Sequence, residues 1–280
     1  MSADISLLWR YKRYIMKVLF ALKVNKKNLL NGCGNDELHD FRVALRRALS
    51  IDVLLRKSLG LGFDEELVLK LKSLISISSQ LRDIEELIKF APQNTSSLGA
   101  KRDEHLNLLF ETLKSDTLEQ DMSAAYKEMY IEVITRGQKP HTMAAKALEI
   151  VINGLSKTSK RYAKLIKDEN IDFEALHSVR KKCKRYRYQL DFLFLDGNEG
   201  SAACKRVQDK LGRVNDLRMW LGMVDDDALL LKIRSLLALA LEEAAREGLV
   251  FASKEYCASI GTGLRRRLGF IDNKQKWSAM

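Results

Sequence analysis

Prolines are rare in this chain, since its 280 residues contain only Pro92 and Pro140. Proline interrupts helices, whereas β-rich domains of this length ordinarily need more proline in their turns. Between the few breaks, apolar residues recur at the three- and four-residue spacing of amphipathic helices. Hydrophobic residues make up 46% of the chain, enough to bury a large core. The sequence therefore predicts an all-α fold.

The helix boundaries follow from these breaks and from capping residues. We expect helices over 4–30, 36–60, 64–91, 143–167, 172–195, 201–222, 225–247 and 251–268, with two more between 100 and 136. Asp64 and Asp172 are predicted N-caps, because a carboxylate accepts hydrogen bonds from the free N–H groups of a first helical turn. The tail 271–280 is expected to be loose.

A segment of the first half recurs in the second half. Residues 38–55, LHDFRVALRRALSIDVLL, match residues 176–193, LHSVRKKCKRYRYQLDFL. A later pair of segments, 81–87 and 214–220, aligns Asp83 with Asp216. Matching landmarks in the same order predict an internal duplication. We expect two pseudo-symmetric helical bundles, over 1–138 and 139–270, related by an approximate two-fold axis.

Basic residues share one helix face in each matching segment. They are His39, Arg42 and Arg46 in the first segment and His177, Arg180, Lys184 and Arg187 in the second. An apolar stripe that includes Phe41 and Val179 is offset by one residue, so the basic face should border a packed interface. Stacked like charges cost about a few tenths of a kcal/mol per pair, which a bound anion would offset. The pattern predicts a polyanion site, and solvated helix faces are the alternative interpretation.

The overall charge is consistent with such a site. The net charge of +11 favours polyanions, whether nucleic acid, an anionic membrane or polyphosphate. The four cysteines show no CxxC spacing, so neither a metal site nor a redox motif is expected. No apolar run approaches the roughly 18 residues of a membrane span, and the N-terminus lacks the pattern of a signal peptide. We expect a cytoplasmic protein with free thiols and no cofactor.

At the repeated residues the sequence resembles the CHAD family, the conserved histidine α-helical domain. The first motif reads His-x-x-Arg-Val-x-x-Arg-Arg, at His39, Arg42, Val43, Arg46 and Arg47. The second motif lies at Leu176, His177, Arg180, Lys181, Lys184, Arg185, Arg187 and Tyr188, and a Leu-Gly-x-x-Asn-Asp signature follows at Leu211, Gly212, Asn215 and Asp216. The serine-rich segment ISISSQ takes the place of Gly212 in the first half, and Leu49 stands where the family often has an arginine.

The resemblance implies a basic central groove or pore between two helical bundles. It also implies non-catalytic binding of inorganic polyphosphate there and association with polyphosphate granules. The predicted phosphate-binding residues are His39, Arg42, Arg46, Arg47, His177, Arg180, Lys184, Arg185 and Arg187, with Arg13, Lys17, Lys160 and Lys164 as further lining cations. No catalytic residue and no metal ligand is predicted.

Two other functions are compatible with the same residues. Asp83 and Asp216 could ligate a metal ion together with the two motif histidines, which would give a phosphoanhydride hydrolase. Phosphoryl-transfer sites usually gather more carboxylates around the metal, so we favour a role for both aspartates in orienting arginines. A basic groove also accepts nucleic acid without sequence preference, although exposed aromatic stacking residues, which single-strand binders use, are not evident.

Overall fold

The computed structural model describes residues 3–31, 35–91, 96–114, 117–135, 140–168, 170–194, 198–224, 226–253, 258–262 and 264. These residues are helical or connect helices, and they contain no strand, as the all-α prediction requires. The long helices in this part of the chain are α1 (Ala3–Leu30), α2 (Asn35–Leu59), α3 (Glu65–Phe90), α4 (Ser96–Lys114), α5 (Leu118–Thr135), α6 (Pro140–Leu165), α7 (Phe173–Phe194), α8 (Glu199–Leu221) and α9 (Asp227–Ala252). The predicted tail 271–280 lies outside the described residues.

The two predicted N-caps form as expected. The carboxylate of Asp64 accepts a hydrogen bond from the Leu67 amide at 2.7 Å, and that of Asp172 accepts one from Ala175 at 2.9 Å. The predicted end of a helix at 247 is wrong, because α9 continues through Gly248 to Ala252. A Cβ on Gly248 would lie 3.0 Å from the ring of Tyr162 on α6. This glycine therefore permits close packing of two helices and does not terminate α9.

Both halves of the chain contribute to one hydrophobic core. The core contains residues of all nine long helices, and Phe41 and Val179 from the predicted apolar stripes are fully buried in it. Helix α2 packs against α7, and α1 packs against α6. The buried amide of Gln189 on α7 donates a hydrogen bond to the Ser50 carbonyl oxygen on α2 at 2.9 Å. The halves 1–138 and 139–270 thus share their interior, and their origin by duplication stays a prediction.

A tight connection places α3 alongside α2. Gly60 has a positive φ of 71°, a conformation that favours glycine. The buried carboxylate of Asp52 then accepts a hydrogen bond from the Phe63 amide at 2.7 Å and one from Arg56 at 3.2 Å. These bonds fix the start of α3 against the end of α2. The chain consequently returns along α2, which brings Ser79 on α3 to the arginines of α2.

Candidate polyanion site

Basic residues from both halves come together between α2 and α7. Arg180 on α7 lies near enough to Arg42 and Arg46 on α2 for its charge to disfavour their protonated forms, and all three arginines disfavour that of Lys184 on α7. We call Arg42, Arg46, Arg180 and Lys184 the basic cluster. Helices α3 and α8 flank it, packing on α2 and α7 respectively and touching each other. Two motifs that are far apart in the sequence therefore build one positively charged region.

Arg42 is the most deeply buried arginine of the cluster, with only 6% of its surface exposed. Burial and the nearby Arg46 lower its pKa to about 9, so the guanidinium stays charged at neutral pH. Its Nη2 donates a hydrogen bond to Ser79 Oγ at 3.1 Å, and Arg46 Nη2 donates to the same oxygen at 3.4 Å. The buried Nε of Arg42 has no hydrogen-bond partner among the described residues. The site thus contains an unused donor on a buried cation.

Arg180 occupies the corresponding place in the second half. Its Nε is also buried and lacks a hydrogen-bond partner within the described part of the chain. A Cβ on Gly212 of α8 would lie 3.5 Å from that Nε, in ordinary van der Waals contact. Aligning Asp83 with Asp216 aligns Ser79 with Gly212, so these two small residues border the two equivalent arginines. The sequence analysis did not predict that Ser79 accepts hydrogen bonds from Arg42 and Arg46. The alignment of Ser79 with Gly212 was the signal that could have indicated it.

Lys184 is surrounded by cations. Arg46, Arg180, Arg42 and Arg187 all disfavour its charged form, and burial does so more strongly. Together these effects lower the pKa of Lys184 to about 6. Without a ligand, the amine is therefore mostly neutral at pH 7. An anion beside it would stabilise the protonated form. Binding of an anionic ligand would therefore protonate Lys184 and increase the positive charge of the cluster.

Asp83 and Asp216 approach the cluster from α3 and α8. Burial raises the pKa of each carboxyl group, and an arginine of the cluster opposes the rise most strongly: Arg42 for Asp83 and Arg180 for Asp216. Each aspartate therefore lies near an arginine of the cluster, and its role in orienting that arginine stays a prediction. Among the described residues, no group of three or more His, Cys, Asp and Glu side chains is placed to hold a metal ion.

The two motif histidines lie at the edge of the cluster. Partial burial lowers the pKa of both, and the next largest cause is Arg82 for His39 and Lys181 for His177. Both rings are consequently neutral at neutral pH, and His177 makes a side-chain hydrogen bond with Asn215. The His177 Nδ1 is buried and makes no hydrogen bond within the described residues. Their role as hydrogen-bond donors to phosphate stays a prediction.

Three further predicted arginines pack against tyrosines. Arg47 and Arg187 each lie over the ring of Tyr188, with distances from Cζ to the ring centroid of 5.8 and 4.9 Å. Arg187 also faces Lys184, so it extends the cluster along α7. Arg185 stacks on its neighbour Tyr186 at 5.3 Å.

The remaining predicted cations lie on other helices. Arg13 and Lys17 are exposed on α1, and Lys160 and Lys164 are exposed on α6. Their part in a groove stays a prediction. A cavity of about 270 Å³ lies among α6, α8, α9 and the segment 258–261, and none of its lining residues belongs to the basic cluster. In the described part of the chain, no helix has the length and apolar content needed to span a bilayer.

Comparisons with known proteins agree with this architecture. A protein-family profile for the CHAD domain matches residues 13–225. No protein with a curated description matches the chain. Among solved structures, the crystal structure of the CHAD domain from the plant Ricinus communis is similar, with a TM-score of 0.64 and 17% sequence identity over 95% of this chain and 93% of that chain. At this identity the likeness concerns the fold.

Proposed function

Since the chain belongs to the CHAD domain family, we propose that its basic cluster is the centre of a binding site for inorganic polyphosphate. The observation that carries the proposal is the convergence of Arg42 and Arg46 with Arg180 and Lys184 across the two halves. The other predicted binding residues, namely His39, Arg47, His177, Arg185 and Arg187, would extend the site along α2 and α7. Arg13, Lys17, Lys160 and Lys164 are proposed as outer contacts.

Free-energy considerations support a ligand with closely spaced negative charges. Burying cations beside one another is costly unless anions compensate them. Asp83 and Asp216 lie near arginines of the site and supply two carboxylates, fewer than the four cations of the basic cluster. Phosphate oxygens match the planar donor fork of arginine and can accept from the unused Nε groups of Arg42 and Arg180. A linear chain of phosphates would contact the cations of both halves at once.

The aromatic residues near the cluster favour a ligand without bases. Single-stranded nucleic-acid binders present open aromatic faces on which bases stack. Tyr188 is 1% exposed, and Arg47 and Arg187 both lie over its ring. Tyr14 is also buried. These rings cannot serve as stacking platforms, which favours polyphosphate over nucleic acid.

We propose that the protein binds polyphosphate without hydrolysing it and that it associates with polyphosphate granules in the cytoplasm. Arginine, lysine and neutral histidine side chains can hold phosphate oxygens by hydrogen bonds and charge. The aspartates are accounted for by the arginines that they face. Binding through such residues needs no cofactor.

A competition titration tests this function. The full chain would be titrated with long-chain polyphosphate, tripolyphosphate and single-stranded DNA at equal phosphate concentration, in moderate and high salt. We expect long-chain polyphosphate to bind most tightly and every affinity to fall as salt rises. Equal affinity for DNA would show a general polyanion surface and contradict the proposal. Phosphate release that a chelator abolishes would instead indicate the hydrolase.

A further inference from the structure

The outward side of α1 combines cations with exposed apolar side chains. The exposed residues of this side are Lys12, Arg13, Met16, Lys17, Phe20, Lys23 and Lys27. We call these seven residues the α1 outer face. The opposite side of the helix, which includes Tyr14, Val18 and Leu22, is buried in the core. The α1 outer face is therefore distinct from the surface by which α1 packs on α2 and α6.

Two large apolar side chains lie in the middle of this face. Phe20 is 69% exposed and Met16 is 59% exposed. At 100° per residue, they project between Lys12 and Lys23 on one side and Lys17 on the other. Burying apolar side chains of this size is strongly favourable. A partner that covers Phe20 and Met16 would therefore be stabilised by the removal of these side chains from water.

The charge of the α1 outer face has a single sign. No aspartate or glutamate occurs between Asp4 and Asp36 in the sequence, so α1 supplies no acid to this face beyond its first turn. Lys12, Lys17, Lys23 and Lys27 are all exposed. Like charges on one helix face repel one another. The complementary partner is consequently an extended negative surface.

We propose that the α1 outer face docks peripherally on anionic lipid bilayers, with Phe20 and Met16 entering the headgroup region and the surrounding lysines contacting lipid phosphates. Helices that lie in the plane of a membrane combine a basic surround with a central apolar strip in this way. Each lysine near an anionic membrane adds to the attraction. The helix rises by about 1.5 Å per residue, so the segment from Lys12 to Lys27 is long enough to contact several lipid headgroups.

The apolar centre distinguishes a bilayer from the other polyanions. Polyphosphate offers no apolar surface for Phe20 and Met16. A nucleic acid would use a row of aromatic rings, whereas this face has one ring and a thioether. In a bilayer, negatively charged phosphates lie directly above hydrocarbon. The lysines of the α1 outer face can extend to the phosphates while Phe20 and Met16 reach the apolar layer below them. The α1 outer face contains none of the four residues of the basic cluster, and it shares only Arg13 and Lys17 with the outer contacts proposed for polyphosphate.

Vesicle sedimentation of the full chain tests the proposal. The vesicles would contain phosphatidylcholine alone or phosphatidylcholine with phosphatidylglycerol. The double variant Met16→Ser/Phe20→Ser is compared with Leu231→Ser/Leu239→Ser, which changes side chains on α9 that are 67% and 57% exposed. We expect binding only to the anionic vesicles, weakened about tenfold or more by the α1 variant and unchanged by the α9 variant.

A second pair of measurements separates insertion from loss of folding. The Met16→Ser/Phe20→Ser variant should keep its affinity for polyphosphate, and a Phe20→Trp variant should show a blue-shifted emission with anionic vesicles only. Lys23→Glu/Lys27→Glu should weaken vesicle binding as well. Vesicle binding that survives Met16→Ser/Phe20→Ser, or a Phe20→Trp emission that does not shift, would show charge attraction without insertion and overturn the proposal.

Discussion

Ligand binding is coupled to the protonation of one side chain, the amine of Lys184. Burial and the facing guanidinium groups of Arg42, Arg46, Arg180 and Arg187 lower its pKa from 10.5 to about 6. The unfolded chain therefore binds one more proton than the folded chain between about pH 6 and 10.5, and this group makes stability rise with pH through that window. A phosphate ligand reverses the shift, because it stabilises the ammonium form.

We accordingly predict that polyphosphate binding takes up a proton at pH 7–9. Through Lys184, affinity should fall as pH rises, by at most about tenfold per pH unit. Calorimetric titration in buffers of different ionisation enthalpy counts the protons. Lys184→Met should remove most of this uptake and leave the smaller part that Arg42, with its pKa of about 9, contributes towards pH 9. Lys210→Met, which changes an exposed lysine on α8, should retain the full uptake. Binding by the native chain without proton uptake would contradict this account of Lys184.

The two aspartates give a second prediction at the residue scale. Asp83→Asn or Asp216→Asn removes a carboxylate that faces a cluster arginine. Because the lost charge has the same sign as the ligand, we predict that each substitution increases affinity for polyphosphate several-fold. Titration of each variant at one salt concentration checks the direction. If the protein were a metal-dependent hydrolase, each substitution would instead remove a metal ligand and abolish turnover.

At the scale of helices, the contact between α6 and α7 depends on Gly154. An alanine Cβ at this position would lie 2.5 Å from Cζ of the buried Tyr186. Tyr186 is held next to the motif residue Arg185, which stacks on its ring. The two helices must therefore separate, or the tyrosine must move, to accommodate a methyl group.

We predict that Gly154→Ala lowers the free energy of unfolding by about 1–3 kcal/mol, the usual cost of overpacking. Gly99→Ala is the matched control on α4, where a Cβ would meet nothing within 4 Å. That change should stabilise the protein by about 0.5–1 kcal/mol, because alanine favours a helix more than glycine does. Denaturant unfolding of both variants gives the comparison, and equal effects would refute the packing argument.

Helix order was predictable from the sequence because amphipathic periodicity and two caps, Asp64 and Asp172, are local signals. The extent of α9 was not, since Gly248 is retained inside the helix by packing on Tyr162 of α6, a contact that periodicity does not reveal. Similarly, the motif spacing predicted Arg42 and Arg180 as site residues. That Ser79 accepts hydrogen bonds from Arg42 and Arg46 depends on how α3 lies on α2.

At the scale of the whole molecule, the two halves depend on each other. Their helices share one core, and the Phe90 and Trp220 rings on α3 and α8 stack with centroids 4.5 Å apart. Either half alone would expose the apolar surfaces by which α1 and α2 pack on α6 and α7. We therefore predict that fragments 1–138 and 139–280, expressed separately, show no cooperative thermal unfolding, whereas the full chain does. A fragment that unfolds cooperatively at a similar temperature would show that the halves are independent.

The central claim, that cations from both halves form one polyphosphate site, is tested most directly by a double-mutant cycle. Polyphosphate affinity would be measured for the native chain, Arg42→Ala, Arg180→Ala and the double variant. Arg234→Ala/Arg246→Ala, which removes two exposed arginines of α9, is the control for net charge. We predict that each single cluster variant loses about tenfold in affinity, or about 1.4 kcal/mol. The two losses should be non-additive, and the control should change affinity little. Additive losses no larger than the control's would contradict a single site built from both halves.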